Sequence, residues 1–186
     1  MVNYLSTTST TRGHYFYPLD DNYRERPRTS NKHMLSRWDN LNSMEWVPFN
    51  GTVPSNAVEC AQAHLPRLRP TLYLSRAFHE GSFTPGFFNP ASKLCYIPWG
   101  GKEHSKRSCE ILCTPGEFVE CSDKTLTLAT PAGLSEQGEP LYIGRVKMNG
   151  EWIYGKVQRS HDVCYVPWKR KETNHKNYEI FIKSQC

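Results

Sequence analysis

From about residue 44 onward, short apolar runs alternate with Gly, Pro and Asn, and no window of ten or more residues carries a helical period. Short runs rich in Leu, Ile, Val, Tyr, Phe and Trp between such breaks predict strands. One short strand is expected in WVPFNGTVPSNAVEC, before the Asn50-Gly51 turn. Four more follow at Leu72–Ala77, Ser82–Phe88, Leu94–Trp99 and Cys109–Cys113, with a hairpin turn at Glu80-Gly81. A second set lies at Leu141–Lys147, Glu151–Val157, Val163–Trp168 and Tyr178–Lys183. Its first two members are joined by Asn149-Gly150, the strongest short-range hairpin signal. Residues 114–140 between the sets hold apolar segments at Phe118–Cys121 and Leu126–Ala129, then the polar loop GLSEQGEP.

The two sets are copies. Residues 72–112 align with 141–181 at a constant offset of 69 without a gap. The identical pairs are Leu72/Leu141, Tyr73/Tyr142, Arg76/Arg145, Gly81/Gly150, Gly86/Gly155, Cys95/Cys164, Tyr96/Tyr165, Pro98/Pro167, Trp99/Trp168, Lys102/Lys171, Glu103/Glu172, Glu110/Glu179 and Ile111/Ile180. Leu74/Ile143, Phe83/Trp152 and Ile97/Val166 are alike in kind. An internal repeat is the first constraint on any fold. One copy, with four or five short strands, would bury too little apolar area to stand alone. The expectation is an all-β fold in which two tandem, pseudo-symmetric repeats of short antiparallel strands interlock into one sandwich-like domain. Residues 1–44 are read as a polar extension, disordered or loosely docked, residues 45–113 as the first repeat and 114–186 as the second. A short helix around His33–Leu41 and docking of Tyr15, Phe16 and Tyr17 are open expectations within the extension.

Charge changes this picture little. The 186 residues carry a net charge of +5, of which residues 1–44 contribute +2 and residues 168–186 contribute +3. Basic charge at the two ends, rather than on one working face, argues against a nucleic-acid partner. Lys/Arg and aromatics at 165–178 are its only support. No apolar run approaches the length of a membrane span, and the first residues lack the apolar core of a secretory signal. Ser, Thr and Arg there suit a transit peptide, but Asp20 and Asp21 argue against one. With seven cysteines, an odd number, and no signal, the expectation is reduced thiols in a cytoplasmic setting. Cys95 and Cys164, at one strand position, read as packing. Cys109 and Cys113 are four apart without a second pair, so neither metal nor cofactor is expected. No phosphate loop, paired-carboxylate motif or HExxH is present, and none of the seven histidines pairs with a recurring nucleophile, so no enzyme is expected.

Several polar residues invite two readings. Lys156 follows Gly155 near the end of a hairpin strand, where its ammonium could donate three hydrogen bonds into a groove. It could equally be a solvated strand lysine. Lys102-Glu103 and Lys171-Glu172 are either parts of two pockets or pairs that close loops. Arg76 and Arg145 lie among apolar strand neighbours; turned inward, they would need Glu110 and Glu179. Trp99 and Trp168 read as core or rim packing, although Trp152 or Trp168 could also cover the C–H face of a pyranose.

The repeated blocks carry a resemblance. LYLSRA, PGFF, CYIPWGGKEH and CEIL in the first copy, and LYIGRV, YGKV, CYVPWKRKE and YEIF in the second, resemble the DM-nine repeat family. The opening WVPFNGTVPSNAV resembles that family's start, and the likeness covers about Trp46 to Lys183. The resemblance implies an all-β fold of interlocked repeats. It also implies a calcium-independent, mannose-type lectin of the molluscan kind, serving recognition of microbial or host glycans in innate immunity. Insect members suggest vesicle association. The family's sugar pocket uses an acid in the loop before LYIGR and the Lys of its PGK block. In the second copy these fall near Glu136, with Glu139 a rival, and on Lys156. Trp168, Lys171 and Glu172, from the reading of the recurring residues, complete the expected ligand set. In the first copy Phe87 replaces the lysine and QAHLPRLRP has no acid, so Phe87, Lys102 and Glu103 mark a degenerate site. The second copy also lacks the opening Trp and replaces the two glycines of GGKE with Lys169-Arg170. Glycans are the implied partner, and homodimerisation is left open. The rival function is a protein-interaction protein, vesicle- or stress-associated, with decayed pockets.

Overall fold

In a computed structural model, the structure describes residues 43–61 and 70–185. The expectations for the extension, the helix around His33–Leu41 and most of the HLPRLRP loop lie outside the described residues.

The first copy contributes β1 (Trp46–Pro48), β2 (Tyr73–His79), β3 (Ser82–Asn89), β4 (Leu94–Trp99), β5 (Lys102–Lys106) and β6 (Glu110–Leu112). Then come β7 (Gly116–Glu120), the helix α1 (Asp123–Leu128) and β8 (Gly133–Leu134). The second copy adds β9 (Pro140–Met148), β10 (Glu151–Gln158), β11 (Val163–Trp168), β12 (Lys171–His175) and β13 (Glu179–Lys183). All named strand pairs are antiparallel. The strands run β1-β6-β2-β3-β4-β5-β12-β11-β10-β9-β13-β7, and β8 bridges β3 to β9. That bridge closes β3, β4, β5, β12, β11, β10, β9 and β8 into a ring. The all-β, interlocked expectation therefore holds, with the sandwich resolved into a closed barrel flanked by extra strands. The copies meet at β5 and β12, where Lys102 and Lys171 are paired in register.

Apolar positions recurring in the sequence become packed clusters. Ala77, Phe88, Cys95, Ile97 and Ile111 form one cluster in the first copy. Their counterparts Val146, Val157, Cys164, Val166 and Ile180 form its twin. A third cluster mixes the copies: Leu74 and Leu112 pack with Ile143, Tyr154 and Phe181. Phe88, Ile97, Val157 and Val166 are completely buried; full burial of each such side chain contributes about 1.5–3 kcal/mol.

The recurring arginines turn inward. Arg76 Nε donates to Glu110 Oε2 at 2.7 Å, and its guanidinium lies between the rings of Trp46 (4.2 Å) and Phe83 (4.4 Å). Arg145 Nε donates to Glu179 Oε2 at 2.7 Å, and its guanidinium lies between Phe118 (4.5 Å) and Trp152 (4.1 Å). Phe118 of β7 thus takes the role of the opening tryptophan that the second copy lacks. Gly86 and Gly155 recur for a steric reason. A Cβ at either would lie 2.0 Å from the carbonyl oxygen of Tyr96 or Tyr165 on the neighbouring strand.

Some elements differ from the sequence expectation, among them β8 (Gly133–Leu134), a two-residue strand within the expected loop GLSEQGEP. β5 (KEHSK) and β12 (KETNH) are strands without an apolar face. α1 is a helix of six residues capped by Ser122, whose side chain accepts from Thr125 N–H. It is too short to display a period.

Candidate functional site

The ring leaves an open cleft of about 400 Å³. Its walls come from both copies: Ser82, Trp99 and Gly100 from the first, and Lys156, Tyr165 and Glu172 from the second, with Glu136 and Gln137 from the loop between β8 and β9.

Lys156 sits within β10, opposite Ile143 of β9 and Tyr165 of β11. Its side chain is only 8% exposed, as is that of Glu172. Lys156 Nζ lies 3.0 Å from Glu172 Oε1 and 5.2 Å from the centre of the Tyr165 ring. Glu172 Oε1 takes no hydrogen bond among the described residues, so this contact is an ion pair whose angles fall short of a bond. Glu172 Oε2 accepts the Gly101 N–H at 2.6 Å. Lys156 is therefore no solvated strand lysine, and Glu172 both pairs with it and fastens the first copy's turn.

That fastening explains the crossing. The β4–β5 turn has Gly100 and Gly101 at φ +59° and +79°; the β11–β12 turn has Lys169 and Arg170 at +49° and +68°. The two turns lie head to head: Glu172 N–H donates to Gly101 C=O at 3.2 Å, and Glu103 N–H donates to Arg170 C=O at 3.3 Å. The first copy's turn delivers Trp99 toward the second copy, while Trp168 packs against the cluster of its own copy. Trp99, not Trp168, accordingly lines the cleft. Trp168 and Lys171, both expected in the ligand set, are not among the cleft residues. Lys171 is exposed at the junction with Lys102, on the opposite side of β12 from Glu172 because strand side chains alternate. In the first copy, Phe87 holds the lysine's position and stacks on Tyr96 with centroids 5.4 Å apart. Lys102 is exposed, and Glu103 contributes its backbone to the turn pairing.

Of the two loop acids, Glu136 lines the cleft and Glu139 does not. Ser135 N–H donates to Glu139 C=O at 2.9 Å, and Gly138 N–H to Ser135 C=O at 2.9 Å, closing a tight turn. That turn holds Glu136 and Gln137 over the cleft, with Gly81 of the β2–β3 hairpin packed beneath Glu136. Partial burial pushes the Glu136 carboxyl up. Hydrogen bonds from its own backbone, the Gln137 side chain and the Trp99 indole, with the charge of Lys156, outweigh this and hold it below the usual carboxylate value. Glu139 is used otherwise. It accepts from Ser160 Oγ (2.6 Å), Ser160 N–H (2.8 Å) and Gln158 Nε2 (2.8 Å), and so fastens the turn after β10. His161 from that turn completes the rim, its Nδ1 2.9 Å from Tyr165 Oη.

Sequence reasoning missed Trp99, Tyr165, Gln137 and Ser82 as cleft residues. Recurrence flagged Trp99 and Tyr165, but not the exchange between copies. The arrangement offers one ammonium, two carboxylates, two side-chain amides and an indole around an aromatic wall, which suits a small polyol with an apolar face.

The sequence pattern of the DM9 repeat matches residues 69–185. Natterin-4 of Thalassophryne nattereri is 29% identical over 140 residues, covering 74% of this chain and 33% of that protein. Natterin-1 of the same fish is 26% identical over 140 residues, covering 74% of this chain and 37% of that protein. The chain thus spans about a third of the length of the curated relatives it matches. The nematode sperm cell motility protein MFP2B aligns in space with a TM-score of 0.58 over 76% of this chain and 47% of that one. At 16% identity this likeness speaks to the fold alone. With the repeat pattern covering more than half of its length and both copies in place in the fold, the chain belongs to the DM9 repeat family.

Proposed function

We propose that this protein is a lectin-like, carbohydrate-binding module whose working site is the cleft between Trp99, Glu136, Lys156 and Glu172. The carrying observation is the convergence of these four side chains from both copies on one open, polar cleft. Its volume of about 400 Å³ falls within the range of about 300–1,000 Å³ common for small-ligand sites. Glu136, ionised and facing the opening, would accept from vicinal hydroxyls; charge-assisted bonds are shorter and stronger than neutral ones. Lys156 would donate to a ring or hydroxyl oxygen, and the Trp99 indole would lie against the C–H face. The ligand proposed from family resemblance is a mannose-type glycan, bound without calcium and without chemistry on it. The first copy contributes walls rather than a second site, because Phe87 on Tyr96 fills the place of the cation.

Titration calorimetry of the full chain with methyl mannoside, in EDTA, tests this. Saturable binding at one site per chain is expected. Two sites would overturn the reading of Phe87, and no heat at high millimolar sugar would overturn the sugar site.

A further inference from the structure

Trp99 has a second set of neighbours besides the cleft. His79, at the end of β2, meets the indole edge to face, with centroids 5.0 Å apart. The His104 ring lies 4.1 Å from that of His79 and 6.0 Å from the indole. His104 Nε2 is 3.1 Å from the Trp99 carbonyl oxygen, which can only accept, so Nε2 carries the hydrogen. Lys106 Nζ is 3.3 Å from His79 Nδ1. An ammonium has three donors and no acceptor. His79 Nδ1 is therefore the acceptor, and the ring is neutral with its proton on Nε2. The matching positions around Trp168 hold Met148, Thr173 and His175. They build a different arrangement, in which Thr173 Oγ1 lies 3.1 Å from His175 Nε2. The histidine pair thus stands beside the tryptophan of the complete cleft and not beside its twin.

We propose that His79, His104 and Lys106 are positioning residues for Trp99, and that protonation of His79 releases the indole and lowers the cleft's affinity for sugar in acid. This regulation rests on the sugar-binding reading above. The groups that face His79 are Lys106, His104 and Glu80. Burial, then the charge of Lys106, then His104 hold its titration below that of an ordinary histidine, against the opposing pull of Glu80. Near neutral pH the ring accepts from Lys106 and the cluster around Trp99 is closed. A proton on Nδ1 removes the acceptor and sets two cations 3.3 Å apart. Repulsion drives the pair apart, and a turn of the ring takes a supporting face from Trp99. Because Trp99 and Glu136 line the same cleft, the displacement reaches the proposed ligand contact directly.

If sugar binds only the form with neutral His79, affinity falls by up to about tenfold per pH unit below that residue's pKa. Glu136, held below the usual carboxylate value, stays ionised at pH 5.5. The experiment measures methyl mannoside affinity of the full chain from pH 7.5 to 5.5, for wild type and His79→Gln. It also follows the Trp99 indole N–H and the His79 ring by NMR over the same range. Wild type should lose affinity progressively over this range, by less than about tenfold because His79 titrates below an ordinary histidine, and His79→Gln, whose amide oxygen accepts from Lys106 at every pH, should hold its affinity constant. The Trp99 resonance should titrate in step with His79. A loss that persists in His79→Gln belongs to His161 on the rim and overturns the proposal, as does a Trp99 resonance that ignores His79. If the sugar fails to bind at pH 7.5, the sugar reading falls, and the resonance titration alone decides whether His79 positions Trp99.

Discussion

Replacing Lys156 by Met removes the cation from a pair whose two side chains are each only 8% exposed. The methylene stem keeps its packing, so the loss falls on Glu172. Its Oε1 is left buried with neither a hydrogen bond nor a charge partner. Breaking a buried pair from one side costs about 3–5 kcal/mol, because the remaining charge stays desolvated. At roughly 2–4 °C per kcal/mol for a chain of this size, Tm should fall by about 6–20 °C. Glu172→Gln alone should also destabilise, since it strands the ammonium. The double variant removes both charges, and the amide introduced by Glu172→Gln can still offer an oxygen to the Gly101 N–H. It should recover most of the loss and lie within about 1–2 kcal/mol of wild type, as neutral replacements of buried pairs often do. Urea unfolding followed by tryptophan fluorescence on the four proteins completes the cycle. A loss under about 1 kcal/mol in Lys156→Met would identify an exposed, solvent-screened pair and refute the closed Lys156–Glu172–Gly101 chain on which the cleft depends.

Gly155→Ala would press a methyl to 2.0 Å from the Tyr165 carbonyl oxygen. We expect a loss of folded protein by circular dichroism, matched by Gly86→Ala, and a stable soluble variant would disprove the close strand approach. Lys169 and Arg170 occupy left-handed backbone at φ +49° and +68°. Restoring the Gly-Gly of the first copy should therefore raise stability by about 1–2 kcal/mol in chemical denaturation; an unchanged or lower midpoint would contradict that turn geometry. We further propose that residues 44–113 cannot fold alone, because Leu74 and Leu112 pack against Ile143, Tyr154 and Phe181 of the other copy. A cooperative, monomeric fragment in thermal unfolding would contradict this.

The strands of both hairpins were legible because apolar residues, turn chemistry and repetition agree at each of them. Asn149 at φ +50° and Gly150 at +82° adopt the turn that their identities demand. Inward arginines were legible as an alternative, through the recurrence of Glu110 and Glu179. β5 and β12 were not, because KEHSK and KETNH present no apolar face; they are strands because the ring closes through them. α1 was hidden by its length, its only signal being the Ser122 cap. For the site, Glu136, Lys156 and Glu172 could be selected by repeat position and family pattern. The exchange of Trp168 for Trp99 could not, since no local signal says that two turns meet head to head. Phe118 in place of a tryptophan was missed because its strand lies outside the aligned repeat.

The central claim is that one cleft, completed by the first copy's tryptophan, takes the sugar. Its most direct test is two-dimensional NMR of the full chain titrated with methyl mannoside at neutral pH in EDTA. The account predicts saturable shifts at the Trp99 indole and the Gly101 and Glu136 amides, none at the Trp168 indole, and their loss in Glu136→Gln. Shifts centred on Trp168 and Phe87, or unchanged binding by Glu136→Gln, would contradict it.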